Sequence, residues 1–148
     1  MCIRDRHSDV SVWDVATNST VSHVSTFDGH TDRVQAVAAM PDGQRILSGG
    51  HDRTVRVWLL NGTLENTFEL HAGSVWAVAA LPDNQHALSA SDNTPVKLFN
   101  VNDGAVLRTF NHHTDRRWCL ALLPDGLRFV SGSDDNTARI AYHGLALQ

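Results

Sequence analysis

Three stretches of this chain can be written one above another with almost no gaps. They are GHTDRVQAVAAMPDGQRILSGGHDRTVRVW (29–58), LHAGSVWAVAALPDNQHALSASDNTPVKLF (70–99) and HHTDRRWCLALLPDGLRFVSGSDDNTARIA (112–141). His30, His71 and His113 lie 41 and 42 residues apart, and Pro41, Pro82 and Pro124 keep the same spacing. So do Ser48, Ser89 and Ser131, and Phe27, Phe68 and Phe110. A repeat this regular is one supersecondary unit copied, each copy burying its apolar surface against the next.

The residues between the anchors give the unit its shape. Val34 to Met40, Val75 to Leu81 and Trp118 to Leu123 are nearly all apolar, which reads as a strand buried on both faces. Alanine is frequent there, and small side chains suit an innermost, crowded strand. Pro41-Asp42-Gly43 and Pro124-Asp125-Gly126 predict tight turns, with Gly at the left-handed position. A second strand is expected at Arg45 to Gly49, and a third, alternating one at Thr54 to Leu60. Asn61-Gly62 and Asn102-Asp103-Gly104 then turn the chain into outer strands, the first ending at Phe68.

A period of ~40–45 residues that opens on Gly-His and closes on Trp is the pattern of a four-stranded propeller blade. The order Gly-His, Pro-Asp-Gly, Ser-Gly-x-x-Asp, Val-x-Val-Trp resembles the WD-repeat (Gβ-like) family from about Val10 to Leu147. The resemblance implies an all-β, partial (open) propeller of antiparallel blades. It also implies a buried hydrogen-bonded set in each blade, joining His, Ser, Asp and Trp. His30, Ser48, Asp52 and Trp58 supply all four. The next blade has His71 and Ser89, with Asn93 and Phe99 at the Asp and Trp positions. The last has His113, Ser131 and Asp135, with Ala141 in place of Trp.

The same register divides the chain. Residues 7–28 are expected to be the last two strands of a first blade, 29–69 a second blade, 70–111 a third, and 112–148 a fourth with an incomplete outer strand. Counting back from Trp13, the Ser and Asp positions fall at Ile3 and His7, so residues 1–6 read as a leader foreign to the repeat. A seven-bladed ring at this period needs roughly 290 residues. The chain is therefore expected to be a fragment. The remaining blades of the same propeller, or a second copy, would close the ring.

His, Ser and Asp are the residue types of a catalytic triad, but an active site is not normally built once per repeat. No Gly-x-Ser-x-Gly elbow is present. His112-His113 lacks ligand spacing and has no Cys pair beside it, so no metal is expected. No phosphate-loop pattern marks a cofactor, and no catalytic residue is assigned. Cys2 and Cys119 cannot form a disulfide framework, and Cys119 reads as a small buried hydrophobe. A net charge of −4 argues against a dedicated nucleic-acid binder. The N-terminus has no apolar secretory segment and no run could span a bilayer, so the expected setting is intracellular, cytoplasm or nucleus, away from membranes.

What remains is the rim. The resemblance implies that partners dock on the face formed by the lead-in loop, the start of the first strand and the turn after the second. By register this set is Arg33, Ser74 and Arg116; Gln35, Trp76 and Trp118; and His51, Asp92 and Asp134. Trp and Arg among acids suit protein recognition. The expected function is a non-catalytic scaffold for protein or peptide partners. The alternative is the sensor or targeting module of a larger enzyme, such as a fused ATPase or kinase.

Overall fold

In the computed structural model, which describes residues 9–15 and 21–145, every regular element is a strand. The expected leader over 1–6, the Ile3 and His7 positions, and residues 146–148 lie outside the described residues. Strands β1 (Val10–Val15) and β2 (Val21–Phe27) pair as a hairpin. Then come β3 (Val34–Ala39), β4 (Arg45–Gly50), β5 (Val55–Leu59) and β6 (Leu64–Phe68), in the order β3-β4-β5-β6. A second four-stranded sheet follows from β7 (Val75–Ala80), β8 (His86–Ser91), β9 (Val96–Asn100) and β10 (Val106–Phe110). The last sheet has three strands, β11 (Arg117–Leu122), β12 (Arg128–Ser133) and β13 (Ala138–Tyr142). Every pairing is antiparallel, as consecutive strands joined by tight turns must be.

The turns follow from their residues. Gly43 and Gly126 sit at φ 66° and 65°, and Asn84 takes the equivalent place at φ 58°, as Asn tolerates. The Asp before each, Asp42, Asp83 or Asp125, accepts backbone N–H groups two and three residues on.

Sheets β3–β6 and β7–β10 bury both faces, which explains the unbroken apolar runs. In β5, Trp58 packs with Val10, Phe27 and Ile46 on one side. Val55 and Val57 pack with Leu47, Val75 and Val78 on the other. Sheet β7–β10 repeats this: Val75, Val78, Ala87 and Phe99 face back, while Ala77, Leu88, Val96 and Leu98 face forward to Phe129. Close approach needs a missing side chain. A Cβ on Gly49 would lie 2.5 Å from Cγ1 of Val75 in the next sheet.

Cys119 is a correction: it is exposed. It pairs with Gly132 in the ladder, its Sγ 2.8 Å from where a Gly132 Cβ would be. Among the described residues no further sheet covers that face, and Ile140 and Tyr142 are 61% and 65% exposed there. Apolar neighbours in sequence indicate burial only when a neighbouring sheet supplies the other wall.

Candidate functional site

Three histidines, one per sheet, stand on the lead-in loops and reach the second strand. His30 Nε2 lies 2.6 Å from Ser48 Oγ, and His30 Nδ1 2.8 Å from Asp52 Oδ2. The indole N–H of Trp58 donates to Ser48 Oγ at 2.8 Å. Since Ser48 accepts from Trp58, its own proton is left for His30 Nε2, so Nδ1–H donates to Asp52. Burial holds the imidazole of His30 below its usual range against the pull of Asp52, which keeps it neutral. Burial also works against the Asp52 carboxylate, but hydrogen bonds from Thr54, His30 and the Thr31 N–H hold it below its ordinary value.

This is the connectivity of a hydrolytic triad, but Ser48 is 0% exposed and its oxygen is capped by an indole. A nucleophile needs a substrate within reach, and this oxygen meets only protein.

The other two sheets vary the set. His113 Nδ1 lies 2.8 Å from Asp135 Oδ2, and Nε2 lies 2.8 Å from Ser131 Oγ. Hydrogen bonds, led by that from Thr137, hold the Asp135 carboxyl well below the carboxylate range. Ala141 leaves Ser131 without an indole partner, as its side chain requires. His71 Nε2 lies 2.7 Å from Ser89 Oγ, but its Nδ1 is met by the Thr94 hydroxyl. Asn93, aligned with Asp52, is exposed and takes no part. Burial first, then the Lys97 charge, lowers His71 to about 4.

The rim residues fall into two groups. The first is backbone. His51 N–H donates to Arg33 O (2.8 Å), Asp92 N–H to Ser74 O (3.3 Å) and Asp134 N–H to Arg116 O (3.0 Å). These three matched bonds tie each lead-in loop to the turn after the second strand. The side chains of Arg33, Arg116 and Asp134 point to solvent.

The second group is side chains. Each first strand breaks register between its first and third residues, at Val34/Ala36, Val75/Ala77 and Arg117/Cys119. The residues skipped are Gln35, Trp76 and Trp118. A bulge takes a side chain out of the ladder and re-aims it: Trp76 and Trp118 reach the preceding sheet, while Gln35 meets the turn after β4 in its own sheet. Gln35 Nε2 lies 2.5 Å from His51 Nε2. The His51 and Trp76 rings meet edge to face at 4.9 Å, and Trp76 and Trp118 at 4.5 Å. Trp76 donates its indole N–H to Asp92. The four side chains form one row across three sheets, ending on Trp118, which is 37% exposed.

Sequence reasoning missed Thr94, Arg117 and His143. Arg117 stands where Val34 and Val75 stand, is buried, and donates to the carbonyls of His113 and Thr94. His143 is buried with Nε2 2.7 Å from Gly126 O. The repeat register flags both as departures from apolar residues at equivalent positions. Among the described residues no cluster of His, Cys, Asp or Glu could hold a metal, and no helix is long and apolar enough to cross a membrane.

Side-by-side antiparallel sheets of three or four strands, each pinned by a histidine between its lead-in loop and second strand, define a repeat propeller module. Residues 21–58, 62–95 and 104–140 match the family model described as WD domain, G-beta repeat, and the chain belongs to that family. It is 42% identical over 53 residues to WD repeat-containing protein srw1 of Schizosaccharomyces pombe, covering 36% of this chain and 9% of that protein. It is 40% identical over 50 residues to Protein groucho of Drosophila melanogaster (34% and 6%). It is 49% identical over 39 residues to Protein FIZZY-RELATED 2 of Arabidopsis thaliana (26% and 8%). The matched stretches thus span less than a tenth of those relatives' length.

Proposed function

We propose that this chain is a non-catalytic, intracellular interaction module whose rim of lead-in loops and bulged first strands binds protein or peptide partners. The observation that carries the reading is the row Gln35, His51, Trp76 and Trp118. Three bulges re-aim an amide and two indoles into this row, where they meet the His51 ring, with the Asp92 carboxylate beside Trp76. Rigid aromatics at the centre of a polar rim are what protein hot spots are made of. The sealed environment of Ser48 supports the non-catalytic part.

The test is capture of partners by the wild-type chain and by Trp76→Ala/Trp118→Ala, with thermal melts of both. Loss of partners at an unchanged melt supports the reading. Collapse of the variant's melt means the two rings are packing residues, and unchanged capture means that partners bind elsewhere.

A further inference from the structure

Trp76 and Trp118 occupy the same bulge in successive sheets, and Asp92 and Asp134 the same turn position. In the first pair the indole N–H is joined to the carboxylate. In the second it is not: among the described residues the Trp118 N–H and the Asp134 carboxylate have no hydrogen-bond partner, and both side chains are exposed. Trp76 covers part of Trp118 and leaves the rest open. The loops flanking Trp118 carry Asp92, Asp115 and Asp134 against one exposed cation, Arg116, and among the described residues no guanidinium lies over the Trp118 ring.

The molecule itself indicates what such a pair accepts. The Arg56 guanidinium lies 6.0 Å from the centre of the Trp58 ring and 3.7 Å from Asp52. That of Arg128 lies 5.9 Å from the Tyr142 ring, with Nε on Asp125. A guanidinium suits both places because it is planar, stacks on an aromatic face and donates in a fork to a carboxylate.

Resting on the rim reading above, we infer that the partner segment presents an arginine side chain, which stacks on Trp118 and donates to Asp134. The acidic balance of the flanking loops disfavours acidic and phosphorylated segments, and the aromatic face favours guanidinium over the more strongly hydrated ammonium.

The experiment uses the full chain with ¹⁵N-labelled indoles, titrated with the peptide acetyl-Gly-Ser-Arg-Ser-Gly-amide and its Lys, Gln and Glu counterparts. The Trp118 indole resonance is expected to move with the Arg peptide, less with Lys, and not with Gln or Glu. Asp134→Asn, a surface change that leaves Asp135 intact, is expected to weaken the Arg peptide about tenfold, as is Trp118→Phe to a smaller degree when read on the neighbouring Trp76 indole. Equal shifts from the Gln or Glu peptide, or Asp134→Asn binding as well as wild type, overturn the inference and leave the rim reading standing. A Trp118 resonance that no peptide moves also overturns it, while partner loss in Trp76→Ala/Trp118→Ala tests the rim reading separately.

Discussion

The sheet β7–β10 should be the most acid-sensitive one. His30 and His113 have an aspartate at Nδ1, but His71 has a threonine hydroxyl, with Lys97 nearby. Its folded value of about 4 lies below the ordinary 6.5. A depressed value means that the stabilising contribution is complete above pH 6.5. It is lost as pH falls toward 4, because the unfolded chain takes up a proton the folded one refuses. The whole interval corresponds to about 3 kcal/mol, and about 2 kcal/mol of that is gone by pH 5. Against a domain stability of about 5–15 kcal/mol this is readily measured. The perturbation is Thr94→Asp, which gives His71 the carboxylate its counterparts have. Urea unfolding at pH 7.5 and pH 5 is the assay. Wild type should lose more than the variant, by up to about 2 kcal/mol, because the added carboxylate raises His71 against its burial while His30, also held low by burial, contributes equally to both. Equal losses in the two proteins would refute the reasoning.

Gly49→Ala should cost about 1–3 kcal/mol, because its Cβ would enter the space of the fully buried Val75. Adding Val75→Ala should recover part of that cost, a coupling that a double-mutant cycle in urea reads directly. Trp58→Phe should cost about 1–2 kcal/mol in the same assay, since it removes the donor to a fully buried Ser48 oxygen. Arg45→Ala should lower the urea midpoint as well, because Arg45 pairs with Asp42 and also donates to Asn84 O and Asn102 Oδ1 of the next sheet.

The strands were legible because the repeat aligned their apolar runs. Val34 to Met40 was expected and β3 is Val34–Ala39; Arg45 to Gly49 was expected and β4 is Arg45–Gly50. The set His30, Ser48, Asp52 and Trp58 converges at hydrogen-bond distances, since fixed spacing in a copied unit means a fixed place. Counting could not reveal that Thr94 would stand in for Asn93. The turn that follows Ser91 carries no Asp at that position, so the histidine takes the nearest hydroxyl. Nor could it reveal that Gln35, Trp76 and Trp118 are bulged, because a bulge inserts no residue that an alignment of equal-length repeats would expose. Cys119 misled because burial in a sheet depends on the neighbouring sheet, which local sequence does not contain.

The division of labour is tested most directly by measuring, in Ser48→Ala and in Trp118→Ala, both the unfolding free energy and the affinity of the folded protein for a captured partner. Ser48→Ala should lose stability and keep its affinity, while Trp118→Ala should keep stability and lose affinity. The opposite pattern, with binding lost on altering the sealed serine and retained without the exposed indole, would contradict a rim that binds and a histidine-centred interior that only holds the sheets together.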